Sequence, residues 1–135
     1  MKATDFVAVL TECCRDGAVK GLTEQLKKPA GRKPSQQLRK LSSWFNSLSQ
    51  NDQQNLIAVT RMAADATLFG VFCVFDGVRV VESTPMKSSF RITATKGVVR
   101  TVVSPSTEFL HDIYRAKADD FSCAILMRLA AVCVE

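Results

Sequence analysis

The hydrophobic pattern of the chain changes period twice, and those changes divide it into elements. Thr4 or Asp5 starts a first helix whose Phe6, Leu10 and Cys13 or Cys14 form one apolar stripe, with Asp16-Gly17 as a stop or kink. A second helical piece runs from Ala18 to Lys28, with Val19, Leu22 and Leu26 at helical spacing. The stretch KKPAGRKPS, Lys27 to Ser35, holds two prolines and a glycine and reads as a basic loop. Beyond it, Leu38, Leu41, Trp44, Phe45 and Leu48 make the clearest amphipathic face of the chain, which predicts a helix with Trp44 as a core anchor.

The stretch NDQQNLIAVTRMAADATLFGVFCVFD, 51 to 76, organises the rest. It begins polar, becomes one-sided, and carries no charge from Ala66 to Phe75. We read it as one long helix, capped at its start by Ser47 or Ser49 and at its end by Gly77, and roughly 39 Å long at about 1.5 Å per residue. A competing reading takes Asp76-Gly77 as a hairpin turn between two apolar runs and ends the helix near Ala66. The helical spacing of Leu68, Val71, Phe72 and Phe75 favours the helix. Gly70 in its interior costs about 1 kcal/mol relative to alanine, which another element packing closely against it would explain.

After Gly77 the period becomes two. Val78 to Glu82 reads as a short strand. The segment SFRITATKGVVRTVVS, 89 to 104, reads as a β-hairpin around Lys96-Gly97, its Phe90, Ile92 and Ala94 sharing a face with Val99, Thr101 and Val103. An isolated hairpin is marginal in water, so it must lie on a helix or add the preceding strand. A helix follows at 107 to 116, with Phe109, Leu110, Ile113 and Tyr114 on one side and His111, Asp112 and Arg115 on the other. Asp119-Asp120 then begin FSCAILMRLAAVCV, apolar nearly all round. A helix of that kind is buried by its own domain or by a second subunit, which makes Phe121, Ile125, Leu129 and Val132 candidate interface residues. The fold expected is α+β, mainly helical, in a single domain over residues 1–135.

Composition narrows the class. With 135 residues and 47% hydrophobic content the chain can build one core without staples. No stretch reaches the roughly 18 to 20 continuous apolar residues of a membrane span, and Phe6 to Leu10 is too short for a signal-peptide core, so no membrane association and a cytoplasmic location are expected. Five cysteines without C-x-x-C spacing read as reduced core residues, and neighbouring Cys13 and Cys14 would point about 100° apart on a helix, poorly placed to share a metal.

The net charge of +5 is unevenly placed. Residues 1–50 hold nine basic and four acidic side chains, against nine of each in the remainder, so the whole excess lies in the first 50. No acidic residue occurs between Glu24 and Asp52, where Lys27, Lys28, Arg32, Lys33, Arg39 and Lys40 fall, a candidate phosphate-contacting surface.

Candidate chemistry is sparse. His111 is the single histidine and is followed by Asp112, but metal phosphohydrolases with such a dipeptide need further His and Asp ligands; the helical wheel sets it on the surface beside Arg115. Asp65 lies among apolar residues, where a buried carboxylate needs a partner, and Arg61 one turn earlier supplies one. The glycines never form a phosphate loop or a dinucleotide fingerprint, and zinc spacings are absent, so no cofactor or metal is expected. The expectation is a non-enzymatic protein that binds another protein or itself, as a homodimer, in an inhibitor, immunity-type or assembly role. Nucleic-acid or anion binding through residues 27–40 is the alternative.

Overall fold

The computed structural model describes residues 1–117. Their order is α1 (Ala3–Leu10), a π-helical segment (Thr11–Asp16), α2 (Gly17–Lys27), α3 (Gln36–Ser47), α4 (Gln50–Phe75), β1 (Ile92–Lys96), β2 (Val99–Ser104) and α5 (Leu110–Arg115). The fold is α+β, with α4 packed by other helices and a small antiparallel sheet.

The long helix forms as its sequence predicts. Ser49 caps it by accepting from the Asp52 amide at 3.2 Å. At the other end Gly77, at φ 72°, turns the chain so that its amide donates to the Val74 carbonyl and the Val78 amide to the Cys73 carbonyl. This paired arrangement is a Schellman cap, so Asp76-Gly77 ends a helix rather than turning a hairpin. Gly70 has its neighbour too: a Cβ there would overlap the guanidinium of Arg79. By length and mean hydropathy α4 could cross a membrane, yet one side of its second half, from Asp65 through Leu68, Phe69 and Phe72 to Cys73, is buried within the protein.

That side carries the core. Leu68, Phe69, Phe72 and Cys73 pack with Val7 of α1, Val103 of β2, and Leu110, Ile113 and Tyr114 of α5. Phe72 meets Phe6 edge-on at 6.5 Å and Tyr114 at 5.4 Å between ring centroids. Burying such side chains stabilises by about 1.5–3 kcal/mol each relative to exposure.

The N-terminal segment departs from expectation. The helix begins at Ala3, its Lys2 amide donating to Asp5 at 3.1 Å, so Asp5 serves from the third helical position and Thr4 is not the cap. Asp16-Gly17 neither stops nor breaks it: both stay right-handed helical. Instead the backbone widens into a π turn from Thr11 to Asp16. The Thr11 hydroxyl donates to the Val7 carbonyl at 2.7 Å, a side-chain contact of the type that bends helices. The wide turn absorbs one extra residue, which lets Val7 before it and Val19 and Leu26 after it all face inward. Cys13 and Cys14, expected in the core, are exposed on this turn, whereas Cys73 is buried.

In α3 the expected face is rotated. Ser42 and Phe45 are buried, Leu38 and Leu48 half-buried, and Leu41 and Trp44 exposed, Trp44 at 48%. The cause is the way α3 lies against α2: Asn46 donates to the Leu26 and Lys27 carbonyls at the end of α2, at 3.4 and 3.1 Å, and this turns the Trp44 side outward.

The hairpin pairs Thr93 with Val102, Ala94 with Thr101 and Lys96 with Val99, with a register shift after Ile92. Its two-residue turn is Gly97-Val98, one position later than expected. Gly97 has φ 59° while Val98 keeps a negative φ, the pattern of a type II′ turn. Ile92, Ala94, Thr101 and Val103 face inward as expected, Val103 fully buried; Phe90 meets Phe75 edge-on at 6.4 Å, and Val99 is exposed. Val78 to Glu82 is not a strand. That stretch is irregular, ordered by Glu82, whose carboxylate accepts from the Ser88 amide and hydroxyl at 2.8 and 2.7 Å. The last described helix starts at Leu110 rather than Thr107. Phe121, Ile125, Leu129 and Val132 lie outside the described residues.

Candidate functional site

Among the described residues, four arrangements stand out as places from which a site could be built. The first is a buried charge cluster. Asp65 is 2% exposed, and its Oδ1 accepts from Arg15 Nη1 at 3.1 Å and from the Tyr114 hydroxyl at 2.5 Å. Arg15 also donates from Nε to Asp16 Oδ1 at 3.0 Å. Arg61, the expected partner of Asp65, instead donates to Asp16 Oδ1 at 3.2 Å from a more exposed position. The correction follows from direction: Asp65 shares the core-facing side of α4 with Leu68, Phe69 and Phe72, while Arg61 emerges toward the π turn.

The electrostatics of the cluster are mutually reinforcing. Burial opposes the Arg15 cation, but hydrogen bonds to Asp16 and Asp65 outweigh it and raise its pKa above the ordinary value. Burial, together with the hydrogen bond to Asp65, holds the Tyr114 phenol protonated well above its usual range. The Arg15 hydrogen bond lowers the Asp16 carboxyl. Each group is thus kept in the form that its partner requires. What the cluster can do is fasten the π turn, α4 and α5 to one another.

The second arrangement joins the end of α4 to the start of α5. Asp76 Oδ2 accepts from the His111 amide at 2.9 Å and contacts His111 Nδ1 at 2.7 Å. An acceptor carboxylate fixes the proton on Nδ1. The His111 ring stacks on Phe109 and meets Phe69 edge-on. It is therefore not the surface residue that the wheel of its own helix indicates: its side chain is 13% exposed. Asp112, adjacent in sequence, lies 3.7 Å from Nε2 and pairs more closely with Arg115, at 2.6 Å. Among the described residues no group of three or more His, Cys, Asp or Glu side chains could hold a metal ion.

The third is an open apolar groove of about 630 Å³ along the joint between the N-terminal helices and α4. One wall is Phe6, Leu10, Cys14 and Ala18; the other is Ala63, Ala64, Thr67, Val71 and Phe75, with Arg15 beside them. The first wall is a ridge of every fourth residue, and the second steps by three and four along α4. Sequence reasoning missed it because it takes one exposed flank from each of two helices. Its one legible signal was the apolar run on α4, which is wider than a single buried stripe needs.

The fourth is the basic segment. Lys27, Lys28, Arg32, Lys33, Arg39 and Lys40 are all exposed. They are distributed along the α2–α3 hairpin, whose loop is shaped by Gly31 at φ 94° and by the Ala30 amide donating to Gln25 Oε1 at 3.1 Å. Trp44, one turn beyond Lys40, is exposed on the same helix. The chain matches no protein-family model, no curated protein and no solved structure.

Proposed function

We propose that this protein acts by binding another protein, receiving an apolar helix face in the groove between α1–α2 and α4. The single observation that supports this most is the groove itself: two helix flanks lined by Phe6, Leu10, Ala63, Ala64, Val71 and Phe75 stand open to solvent, with Val71 39% exposed. Grooves of this kind take the apolar side of a partner helix through anchors at helical spacing. The alanines and Thr67 let a guest helix approach closely, and Phe6 and Phe75, which share the end of the groove nearest Phe72, give it something to pack on. Inhibitor, immunity-type and assembly roles all belong to this class of action.

The test uses Cys14, which is exposed and lines the groove. A thiol-directed photocrosslinker placed there should capture the partner chain, or a second copy at high protein concentration. Ala64→Arg and Val71→Arg should each abolish the adduct, whereas Val59→Arg, at an exposed site that does not line the groove, should leave it unchanged. Absence of any adduct, or an adduct indifferent to the two groove substitutions, would end this reading.

A further inference from the structure

The α2–α3 hairpin combines two features that a solvated charge run does not need, and neither belongs to the apolar groove. The first is a set of six exposed cations running from Lys27 at the end of α2 across a shaped loop to Arg39 and Lys40 in α3, over a stretch of sequence without an acid, although Lys27 at its near edge also shares a hollow with Glu12, Asp16 and Glu24. The loop is held by Gly31 and Gln25, and Asn46 ties the end of α2 to α3. The second is an exposed tryptophan. Trp44 lies one turn from Lys40 and beside Leu41, which is also exposed, while Phe45, the neighbouring aromatic, is fully buried. Leaving a tryptophan 48% open to water forgoes burial that the fold grants to Phe45.

Cations that track a phosphate backbone, next to an aromatic face on which an unstacked base can lie, are the two components of single-strand recognition. We propose that the Lys27–Trp44 hairpin is a binding surface for single-stranded nucleic acid, with Lys27, Lys28, Arg32, Lys33, Arg39 and Lys40 contacting phosphates and Trp44 stacking on a base. Duplex fits less well, because its bases are already stacked on one another. A folded protein surface would bury Trp44 without a need for the cations, whereas an anionic lipid surface would take both; Trp44 fluorescence that shifts with anionic vesicles and not with oligothymidylate would overturn the proposal.

Trp44 is the single tryptophan of the chain, so its fluorescence reports this site alone. Oligothymidylate at low salt should quench it. With a dye-labelled oligothymidylate read by anisotropy, Trp44→Leu should weaken binding by about tenfold or more while leaving the salt dependence intact. Replacing Lys27, Lys28, Arg32 and Lys33 with serine should reduce the slope of log affinity against log salt by about 3, at about 0.7 per phosphate contact on a single strand. Both variants change exposed side chains, and a cooperative thermal transition no lower than that of wild type will show that they remain folded. No binding at low salt overturns the proposal. So does equal affinity for oligothymidylate, duplex and inorganic polyphosphate that Trp44→Leu does not alter, which would mean a surface that reads charge only. Fluorescence that changes with protein concentration alone, and not with oligonucleotide, would assign Trp44 to contact with a second copy and would equally overturn it.

Discussion

Arginine and lysine are used in two opposite ways in this molecule. At the π turn, Arg15 is spent within the fold: its guanidinium meets Asp16 and Asp65, and Asp65 in turn holds Tyr114. On the α2–α3 hairpin six cations stand exposed over a stretch that contains no carboxylate. The first cluster is invisible as a charge pattern, since its members come from positions 15, 16, 65 and 114. The second is the most visible charge anomaly in the chain. What distinguishes an internal fastening from an available surface is therefore where the chain brings the opposite charge, and local charge density is a poor guide to it.

The comparison breaks most decisively at Asp65. Asp65→Ala leaves the partly buried Arg15 with Asp16 as its remaining carboxylate and the Tyr114 hydroxyl without its acceptor, and buried groups deprived of a partner cost about 1–3 kcal/mol each, more for a charged one. Urea unfolding of Asp65→Ala should show a loss of that order. A change under 1 kcal/mol would mean that the cluster does not hold the π turn to α4.

Asp76→Ala comes next. It removes the acceptor for both the amide and the ring of His111 and should cost about 1–3 kcal/mol. Tyr114→Phe should cost about 1–3 kcal/mol, since Asp65 keeps Arg15. It also has a pH signature. The folded-state pKa of Tyr114 is raised above that of the unfolded chain, so its contribution is fully present below the ordinary tyrosine value of about 10 and is lost as pH climbs above it toward the folded value. Wild type should therefore lose stability at alkaline pH more steeply than Tyr114→Phe. Parallel alkaline profiles for the two proteins would remove Tyr114 as the responsible group.

Local signals in the sequence foretell local structure well and distant pairing poorly. The α+β class, the long helix with its Gly77 cap, the hairpin's inner face and the basic loop all rest on spacing within a few residues. The failures have a common cause. Helical spacing offers Asp65 the neighbour Arg61 because one helix reveals only pairs three or four residues apart, whereas Arg15 and Tyr114 come from 50 and 49 positions away. His111 was placed outside by the wheel of its own short helix, which carries no knowledge of Asp76 arriving from α4. Trp44 belonged to an apolar stripe broader than the face that α2 covers, and Asn46 decided which edge of that stripe was buried. The groove escaped notice for the same reason, being assembled from two flanks that each look like ordinary helix surface. The interface assigned to Phe121, Ile125, Leu129 and Val132 lies outside the described residues.

The smallest effects sharpen the contrast from the other side. Arg61 and Asp16 form a half-exposed pair at 3.2 Å, and pairs of this kind contribute about 0.2–1 kcal/mol at most. Arg61→Ala should therefore change stability only slightly, and less still in high salt. The serine replacement at Lys27, Lys28, Arg32 and Lys33 should not destabilise the protein; relief of like-charge repulsion can even raise the melting temperature by a degree or two at low salt, an effect that added salt should erase. If that variant instead unfolds with a loss above about 1 kcal/mol, those four cations are tied into the fold as Arg15 is, and the distinction between the two regions fails. Equal stability together with altered anion affinity would show a positive surface held open by a scaffold that does not depend on it.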